Sequence, residues 1–359
     1  NEYFKSKRTA YTEAGITNAM FLILNDINVG FAQENQIPQT IYTGDDSGMM
    51  VARTSWDWGP NANAMTVSMK LPEKHYGSHA HYDAGQFYIY YKGPLAIDSG
   101  IYNSAPFVDQ NGNIVSSNLK AGSDHDRNWD KQTIAHNCML IFDPNEKTFN
   151  YNGKYSIENC GGQYFSGNVA SNYEQFLTYP VNGCEITAKD FGGENLNKPD
   201  YTYLSGDLTK TYGKKAKEYT RSFMFFNFFD EVYPGALVVF DRVTSADASF
   251  KKTWLLHSQS EPEINGNTST VMHSEYGYNG KMINKTLLPK LDDANITKIG
   301  GKDKRFMISD WNWNAKEEVL YGSESGMWRI ELSPKTEKET DYFLNVIQVS
   351  EINDEINPL

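Results

Sequence analysis

From about residue 40 onward, the chain consists of short runs rich in Val, Ile, Tyr, Phe and Trp, separated by turn-forming clusters such as TGDDSG, DQNGN, YNGK and GGEN. Runs of this length and partial alternation predict β-strands, and the Gly, Asn and Asp clusters predict the turns between them. The strand candidates outnumber the seven or so strands of a simple sandwich. They are MMVARTSW, AMTVSMKL, GQFYIYY, LAIDSGIY, TIAHNCMLIF, EQFLTYPV, RSFMFFNFF, ALVVFDRV, KKTWLLHS, RFMISDWNW, WRIELSP and DYFLNVIQV. The sequence therefore predicts a mainly β fold, a large double-layered antiparallel β-sandwich.

The beginning of the chain has a different texture. Residues 5–33 contain the one convincing helical pattern, with apolar residues spaced three to four apart from Ile16 to Ile27. We therefore predict a helical segment over residues 1–40 and the sandwich over residues 41–359. The first residues include no initiating Met and no signal-peptide pattern, so we expect a piece of a longer protein whose targeting information lies elsewhere.

The overall charge narrows the choice of partners. The formal net charge is −12 and the isoelectric point is near 5.1, which gives no general attraction to nucleic acid or to anionic membranes. No apolar run approaches the ~20 residues needed to cross a bilayer. An anionic ligand would therefore have to be held by a local basic cluster. The three cysteines allow at most one disulfide bond, and we expect three buried thiols.

Candidate metal ligands fall in the segment GSHAHYDAGQFYIYYKGPLAIDSGIY, residues 77–102. His79 and His81 are two residues apart, so on a strand both side chains would point to the same face. The run that follows is typical of a hairpin around its KGP turn, which would return Asp98 to the first strand. His136 precedes the next apolar run. Two histidines and a carboxylate suit zinc, although the same residues would also suit a solvated sheet face or hydrogen-bonded core histidines.

The sequence around these residues resembles a known family. The segments HAHYDAGQFYIYYKGPLAIDSG and KQTIAHNCMLIFDP resemble the central domain of the heparinase II type, in the heparinase II/III group of polysaccharide lyases. The resemblance continues in order through PDYTYLSGDLTKTY, KEYTRSFMFFN, FKKTWLLHSQSEPEI, NITKIGGK, WRIELSPK and DYFLNVIQV. It implies that residues 1 to about 40 are the last helices of an N-terminal α/α toroid, and that the rest is the central β-sandwich.

The resemblance also implies roles for individual residues. The family's zinc ligands fall on His81, Asp98 and His136, the set that the strand pattern already suggests. Its catalytic histidine on this domain falls on His79, and a tyrosine that lines its cleft falls on Tyr102. Zinc is the implied cofactor, and we expect it to fix the hairpin and loop rather than to take part in the chemistry.

Contacts with substrate are expected from four further residues. Ser78 stands where a relative has an asparagine that contacts the substrate carboxylate. Arg53, Lys74 and Arg127 flank the histidine segment in sequence and would supply the cations for an acidic polysaccharide. Solvated surface charge remains the alternative for each of the three.

By this resemblance, the full-length protein would be a lyase that cleaves heparin or heparan sulfate by β-elimination, in the periplasm or after secretion by a bacterium. The partner of this chain would be the rest of its own polypeptide, above all the toroid, which carries the family's other catalytic residues. This chain alone is therefore expected to be inactive. A second copy of the chain, in a homodimer, is a further candidate partner.

Two alternative hypotheses for the function remain open. One is a non-catalytic, zinc-stabilised sandwich that binds sulfated or acidic polysaccharide. The other is a cupin-like metal enzyme, which also combines a His-x-His pair with a carboxylate and a later histidine on strands. In a cupin the carboxylate lies a few residues after the histidine pair, whereas Asp98 lies seventeen residues after His81 and beyond a hairpin turn, which argues against a cupin.

Overall fold

The computed structural model describes residues 36–57, 59, 62–75, 80–100, 107–108, 114–116, 125–146, 149–151, 155–164, 172–178, 183–193, 195, 197–301, 303–313 and 326–355. Of the helical segment predicted over residues 1–40, residues 1–35 lie outside these residues, and Thr40 begins the first strand. The chain divides into two compact units, Asn1–Pro38 and Gln39–Leu359, and the strands belong to the second.

The described residues form strands joined mainly by turns and short irregular segments. In chain order, the strands are β1 Thr40–Tyr42, β2 Met49–Arg53, β3 Thr66–Lys70, β4 Phe87–Tyr90, β5 Pro94–Ala96, β6 Phe107–Val108, β7 Ile114–Ser116, β8 Met139–Phe142, β9 Phe149–Tyr151, β10 Tyr155–Ile157, β11 Glu185–Gly192, β12 Tyr201–Asp207, β13 Ala216–Asn227, β14 Gly235–Ser245, β15 Lys251–Ser258, β16 Glu263–Asn265, β17 Thr268–His273, β18 Gly280–Leu288, β19 Ala294–Gly300, β20 Met307–Ile308, β21 Trp311–Asn312, β22 Trp328–Pro334 and β23 Thr340–Glu351. The helical pieces are α1 Tyr173–Leu177, a π-helical turn Asp126–Asp130, and 3₁₀ turns Thr133–Ala135, Thr209–Lys215 and Glu275–Gly277. No described helix is long and apolar enough to cross a membrane.

Three sheets make up the sandwich, and their strand pairs are antiparallel. An eight-stranded sheet has the order β11-β12-β13-β14-β23-β18-β17-β16, a five-stranded meander runs from β1 to β5, and a four-stranded sheet has the order β19-β22-β15-β8. Residues of all three sheets share one apolar core. The predicted double-layered antiparallel sandwich is confirmed.

Phe87 shows how the layers meet. Its ring lies 6.1 Å from that of Phe223 on the eight-stranded sheet and 6.0 Å from that of Trp254 on the four-stranded sheet. The four- and five-stranded sheets lie side by side, because the N–H of Ile97, just after β5, donates to the carbonyl of His257 on β15 at 3.1 Å. Together these two sheets form the layer that faces the eight-stranded sheet.

The alternation that predicted these strands reflects burial on one face. In β13 the side chains of Tyr219, Phe223 and Phe225 are buried in the core, while those of Thr220, Ser222 and Met224 are more exposed. Arg221 occupies the same inward row and is 0 % exposed. It is paired with Asp241, its register partner on β14, which is also 0 % exposed.

A second apolar cluster covers the outer face of the four-stranded sheet. Leu255 on β15 is buried there with Trp129 and Ile134, which belong to the segment before β8, and with Phe306. The Trp129 ring lies 5.3 Å from that of Phe306. This packing fixes the segment that leads into His136.

The prediction of a strand over EQFLTYPV is wrong, because residues 173–177 form α1. The Asn172 side chain accepts a hydrogen bond from the N–H of Gln175 at 2.9 Å, the pattern of a helix N-cap. The three described cysteines are free and buried, as expected. Burial raises the pKa of each thiol, which keeps it protonated.

Replacement of Phe87 by Ala should lower the free energy of unfolding by about 3–5 kcal/mol, because the cavity opens where the three sheets meet. Phe228→Ala is the control, since its side chain is 40 % exposed and should cost under about 0.5 kcal/mol. Urea unfolding measures both. Equal losses for the two variants would contradict the central position of Phe87.

Candidate metal centre

Three potential ligands lie together at one end of the β4–β5 hairpin. One ligand atom each from His81, Asp98 and His136 falls within 4.8 Å of the others. His81 precedes β4, Asp98 follows β5 by two residues, and the pairing of Ile89 with Ala96 brings both to the same end. His136 directly follows the 3₁₀ turn Thr133–Ala135. The hairpin and the grouping predicted from the sequence are confirmed.

The ligand atoms are close together, but they do not satisfy one another. His136 Nδ1 lies 2.9 Å from Asp98 Oδ1, yet the two are misaligned for a hydrogen bond, and both ring nitrogens of this fully buried histidine lack a hydrogen-bond partner. The rings of His81 and His136 lie 5.2 Å apart. Buried polar atoms are normally paired, so the two partnerless nitrogens of His136, next to a carboxylate and a second imidazole, fit a bound cation.

The protonation states of the three side chains are coupled. Burial and the neighbouring His136 lower the pKa of His81 to about 4, so this imidazole is neutral at pH 7. Burial acts to lower the pKa of His136, but the charge of Asp98 raises it overall. Burial acts to raise the pKa of Asp98, but His136, His81 and the Gly100 N–H lower it overall. The two shifts have the same cause, because the positive charge of protonated His136 and the negative charge of Asp98 stabilise each other.

His81 does not lie on a strand, so the same-face argument for His79 and His81 does not hold. The chain from residue 80 to 86 is irregular and β4 begins only at Phe87. A turn causes this, in which the Gln86 N–H donates to the Asp83 carbonyl at 3.0 Å and Gly85 has a φ of 91°. His79 lies outside the described residues.

Gly100 lets the chain pass close to the ligands. A Cβ at this position would come within 2.6 Å of His136 Cε1 and would also collide with the Asp130 carbonyl. The backbone N–H of Gly100 donates to Asp98 Oδ1 at 2.7 Å, which fixes the orientation of the carboxylate. The DSG sequence therefore combines the ligand Asp98 with Gly100, which is small enough to lie against His136.

Of the predicted substrate contacts, the structure describes Arg53, Lys74 and Arg127. Ser78 and Tyr102 lie outside the described residues. Arg53 pairs with Thr66 at the opposite end of β3 from Lys70, and its guanidinium lies 4.3 Å above the Trp56 ring.

The other two predicted cations have different surroundings. Lys74 forms an ion pair with Asp46 at 2.9 Å. Arg127 lies in the π-helical turn of the segment that leads to His136, where its carbonyl accepts a hydrogen bond from Gln132 at 2.6 Å. Arg127 is therefore the predicted cation whose segment also carries a ligand.

A lysine paired next to a ligand segment was not predicted. Lys70 ends β3, and its Nζ lies 2.6 Å from Asp83 Oδ2, two residues after His81. Its charge acts to lower the pKa of both His81 and His136. The Lys70 side chain is 28 % exposed. The sequence signal was weak, since a lysine at the end of an alternating strand is usually a solvated charge.

The sequence that carries the three ligands matches a known protein family. The family model "Heparinase II/III-like, C-terminal" matches residues 38–290, more than half of the chain, including all three ligands. The chain belongs to the heparinase II/III-like family. No curated protein matches the chain in sequence.

Solved structures share the fold of this heparinase II/III-like chain. The heparan sulfate lyase HepC from Pedobacter heparinus superimposes with a TM-score of 0.55 at 16 % identity, covering 99 % of this chain and 43 % of that one. A heparinase III gene product gives a TM-score of 0.53 at 17 % identity, covering 98 % and 42 %. The chain thus spans less than half the length of these proteins.

Metal binding should depend on each of the three ligands. We expect His136→Ala and Asp98→Asn to lower the affinity for Zn²⁺ by more than the roughly 100-fold that loss of an outer partner can cost. His273→Gln is the control, since it replaces a fully buried histidine on β17. Competition with a chromophoric chelator measures all three. Unchanged affinity in both ligand variants would exclude this site.

Metal affinity should also fall with acidity. Zn²⁺ needs neutral imidazoles, and the raised pKa of His136 means that its proton must be displaced at mildly acidic pH. The affinity should be constant above this pKa and fall about tenfold per pH unit below it. Calorimetry at pH 8 and pH 6, in buffers of different ionisation enthalpy, should find lower affinity and more proton release at pH 6. Equal values at both pH values would contradict the coupling.

Proposed function

We propose that this chain is the metal-binding portion of a lyase that cleaves heparin or heparan sulfate by β-elimination. The observation that carries the proposal is the preformed His81, Asp98 and His136 cluster in a chain of the heparinase II/III-like family. Two solved structures that share its fold are a heparan sulfate lyase and a heparinase III. The substrate class is therefore a polysaccharide of acidic, uronate-containing units.

The reaction sets requirements that the residues of this chain meet in part. A base removes the C5 proton of the uronate, the electron pair forms the C4–C5 double bond, and the C4–O4 bond breaks as O4 takes up a proton. We assign the base to His79, whose unperturbed pKa near 6.5 suits proton transfer at neutral pH. Tyr102 and Ser78 are proposed to contact the sugar and its carboxylate. The acid that protonates O4 is proposed to lie in the rest of the polypeptide.

Zinc is the metal we propose for the cluster. Two imidazoles and one carboxylate are a frequent zinc ligand set that leaves a fourth position open. Bound there, zinc would neutralise the Asp98 carboxylate and link the segments that carry the three ligands. Since His81 lies two residues from His79, we propose that this link sets the position of the base.

The protein has a net charge of −12, so basic side chains must attract a sulfated polymer at the place where it binds. Lys70 and Arg127 are the described candidates, because the first is paired with Asp83, two residues after His81, and the second lies on the segment that carries His136. To bind a sulfate, Lys70 would have to leave Asp83, and Lys74 would have to leave Asp46. A location in the periplasm or outside the cell is part of the proposal, since a long polysaccharide would be met there.

The full-length protein tests the proposal. With heparan sulfate as substrate, we expect the absorbance of unsaturated uronate to rise, and His79→Ala to lower the rate by about 10²–10⁴-fold, the usual contribution of an acid–base residue. His273→Gln is the matched control and should keep the rate.

Two results would contradict the assignment. Wild-type rates in His79→Ala would remove this residue from the chemistry. Binding of heparan sulfate by the full-length protein with no unsaturated product would favour a non-catalytic, polysaccharide-binding sandwich. The isolated chain should show no activity, because we propose that the acid lies in the rest of the polypeptide.

A further inference from the structure

Asn137, the residue after His136, joins the segments that carry the three ligands. Its side-chain Nδ2 donates to the carbonyls of Phe87 at 2.8 Å and Ile97 at 3.2 Å, and its Oδ1 accepts from the N–H of His257 at 2.6 Å. Its own N–H donates to the Gln86 side chain. Asn137 is 0 % exposed, so these bonds are shielded from water. One side chain thus ties the start of β4, the end of β5 and β15 to the His136 backbone.

Arg221 reaches the same place from the opposite sheet. Its Nη1 donates to the carbonyl of Gly85 at 2.6 Å and to that of Asn137 at 2.9 Å. Gly85 belongs to the irregular segment of His81. The contact therefore holds the backbone of both histidine segments against β13.

The remaining donors of Arg221 bind a carboxylate. Nε and Nη2 donate to the two oxygens of Asp241 at 2.6 and 3.0 Å, and the Tyr219 hydroxyl donates to the same carboxylate at 2.9 Å. A bidentate pair of this kind fixes the plane of the guanidinium. Its Nη1 consequently points in one direction only, toward the ligand segments.

We propose that Asn137 and Arg221 are positioning residues of the metal centre, which hold the His81, Asp98 and His136 segments at ligand spacing before a metal binds. This inference rests on the metal binding proposed above and adds the residues that set its strength. The side-chain hydrogen bonds of the two residues go to backbone groups and to Asp241, not to the side chains of His81, Asp98 or His136. Both act through the backbone.

The physical reason is the cost of ordering three separate segments. Asp98 follows Ile97 directly, and His136 precedes Asn137 directly, so the bonds of Asn137 fix the backbone on both sides of that ligand pair. If these bonds are lost, part of the free energy of metal binding is used to order the segments, and the metal affinity falls by the corresponding factor.

The decisive variant is Asn137→Ser, which removes the three side-chain bonds and leaves the ligands intact. We expect the Zn²⁺ affinity of this chain to fall by about 10–100-fold, as for other supporting partners of ligands. The visible spectrum of bound Co²⁺ should broaden or weaken, because its intensity reports the ligand geometry. Chelator competition and Co²⁺ titration are the measurements.

Asn345→Ser is the matched control. Asn345 is also 0 % exposed, and its Oδ1 accepts hydrogen bonds from Thr286 and Asn284 within the eight-stranded sheet. This variant should lose stability but keep the Zn²⁺ affinity within about twofold, since its bonds do not reach the ligand segments. A common loss of affinity in both variants would assign the effect to general destabilisation and overturn the proposal.

Arg221→Lys gives a second test. A lysine keeps the charge beside Asp241 but cannot also donate to both the Gly85 and Asn137 carbonyls in a fork. We expect weaker Zn²⁺ binding here too; if this variant does not fold, Asn137→Ser decides alone. Wild-type affinity and Co²⁺ spectrum in Asn137→Ser would refute the inference while leaving the proposed function intact. Absence of metal binding by the wild-type chain would refute the proposed metal and the inference together.

Discussion

The buried ion pair between Arg221 and Asp241 is the interaction on which the rest of the structure depends. Both side chains are 0 % exposed, and burial of two charges is costly unless their hydrogen bonds are met. Asp241 accepts hydrogen bonds from the Arg221 guanidinium and the Tyr219 hydroxyl, and Arg221 also donates to the carbonyls of Gly85 and Asn137. These bonds offset the cost of burying the two charges. The core of the sandwich and the end of the hairpin are thereby built from the same bonds.

This arrangement explains why the three candidate ligands lie at this junction. The five- and four-stranded sheets meet where Ile97 binds His257, and the segment carrying His136 is packed onto the outer face through Trp129. Three segments from different parts of the chain converge there, and each brings one ligand. A site assembled in this way needs a rigid support, which a buried asparagine with all its bonds made can supply.

The sequence predicted much of this, because burial on one face leaves a local pattern. The alternation from Tyr219 to Phe225 marks β13, and the KGP turn marks the hairpin that returns Asp98. The grouping of His81, Asp98 and His136 followed from that hairpin together with the family resemblance. The irregular segment of His81 was missed, because a turn at Gly85 overrides the alternation around it. The partners of Arg221 and Lys70 were also missed, because they lie far away along the chain and leave no periodic signal.

The central claim is that the fold holds His81, Asp98 and His136 ready for one metal ion. Anomalous diffraction at the zinc absorption edge, from crystals of this chain grown with Zn²⁺, tests it most directly. We predict a single strong peak bonded to one nitrogen of each histidine at about 2.0–2.1 Å and to an Asp98 oxygen, with Asn137 and Arg221 unmoved. No peak at this position, or a peak that requires the three segments to rearrange, would contradict the account.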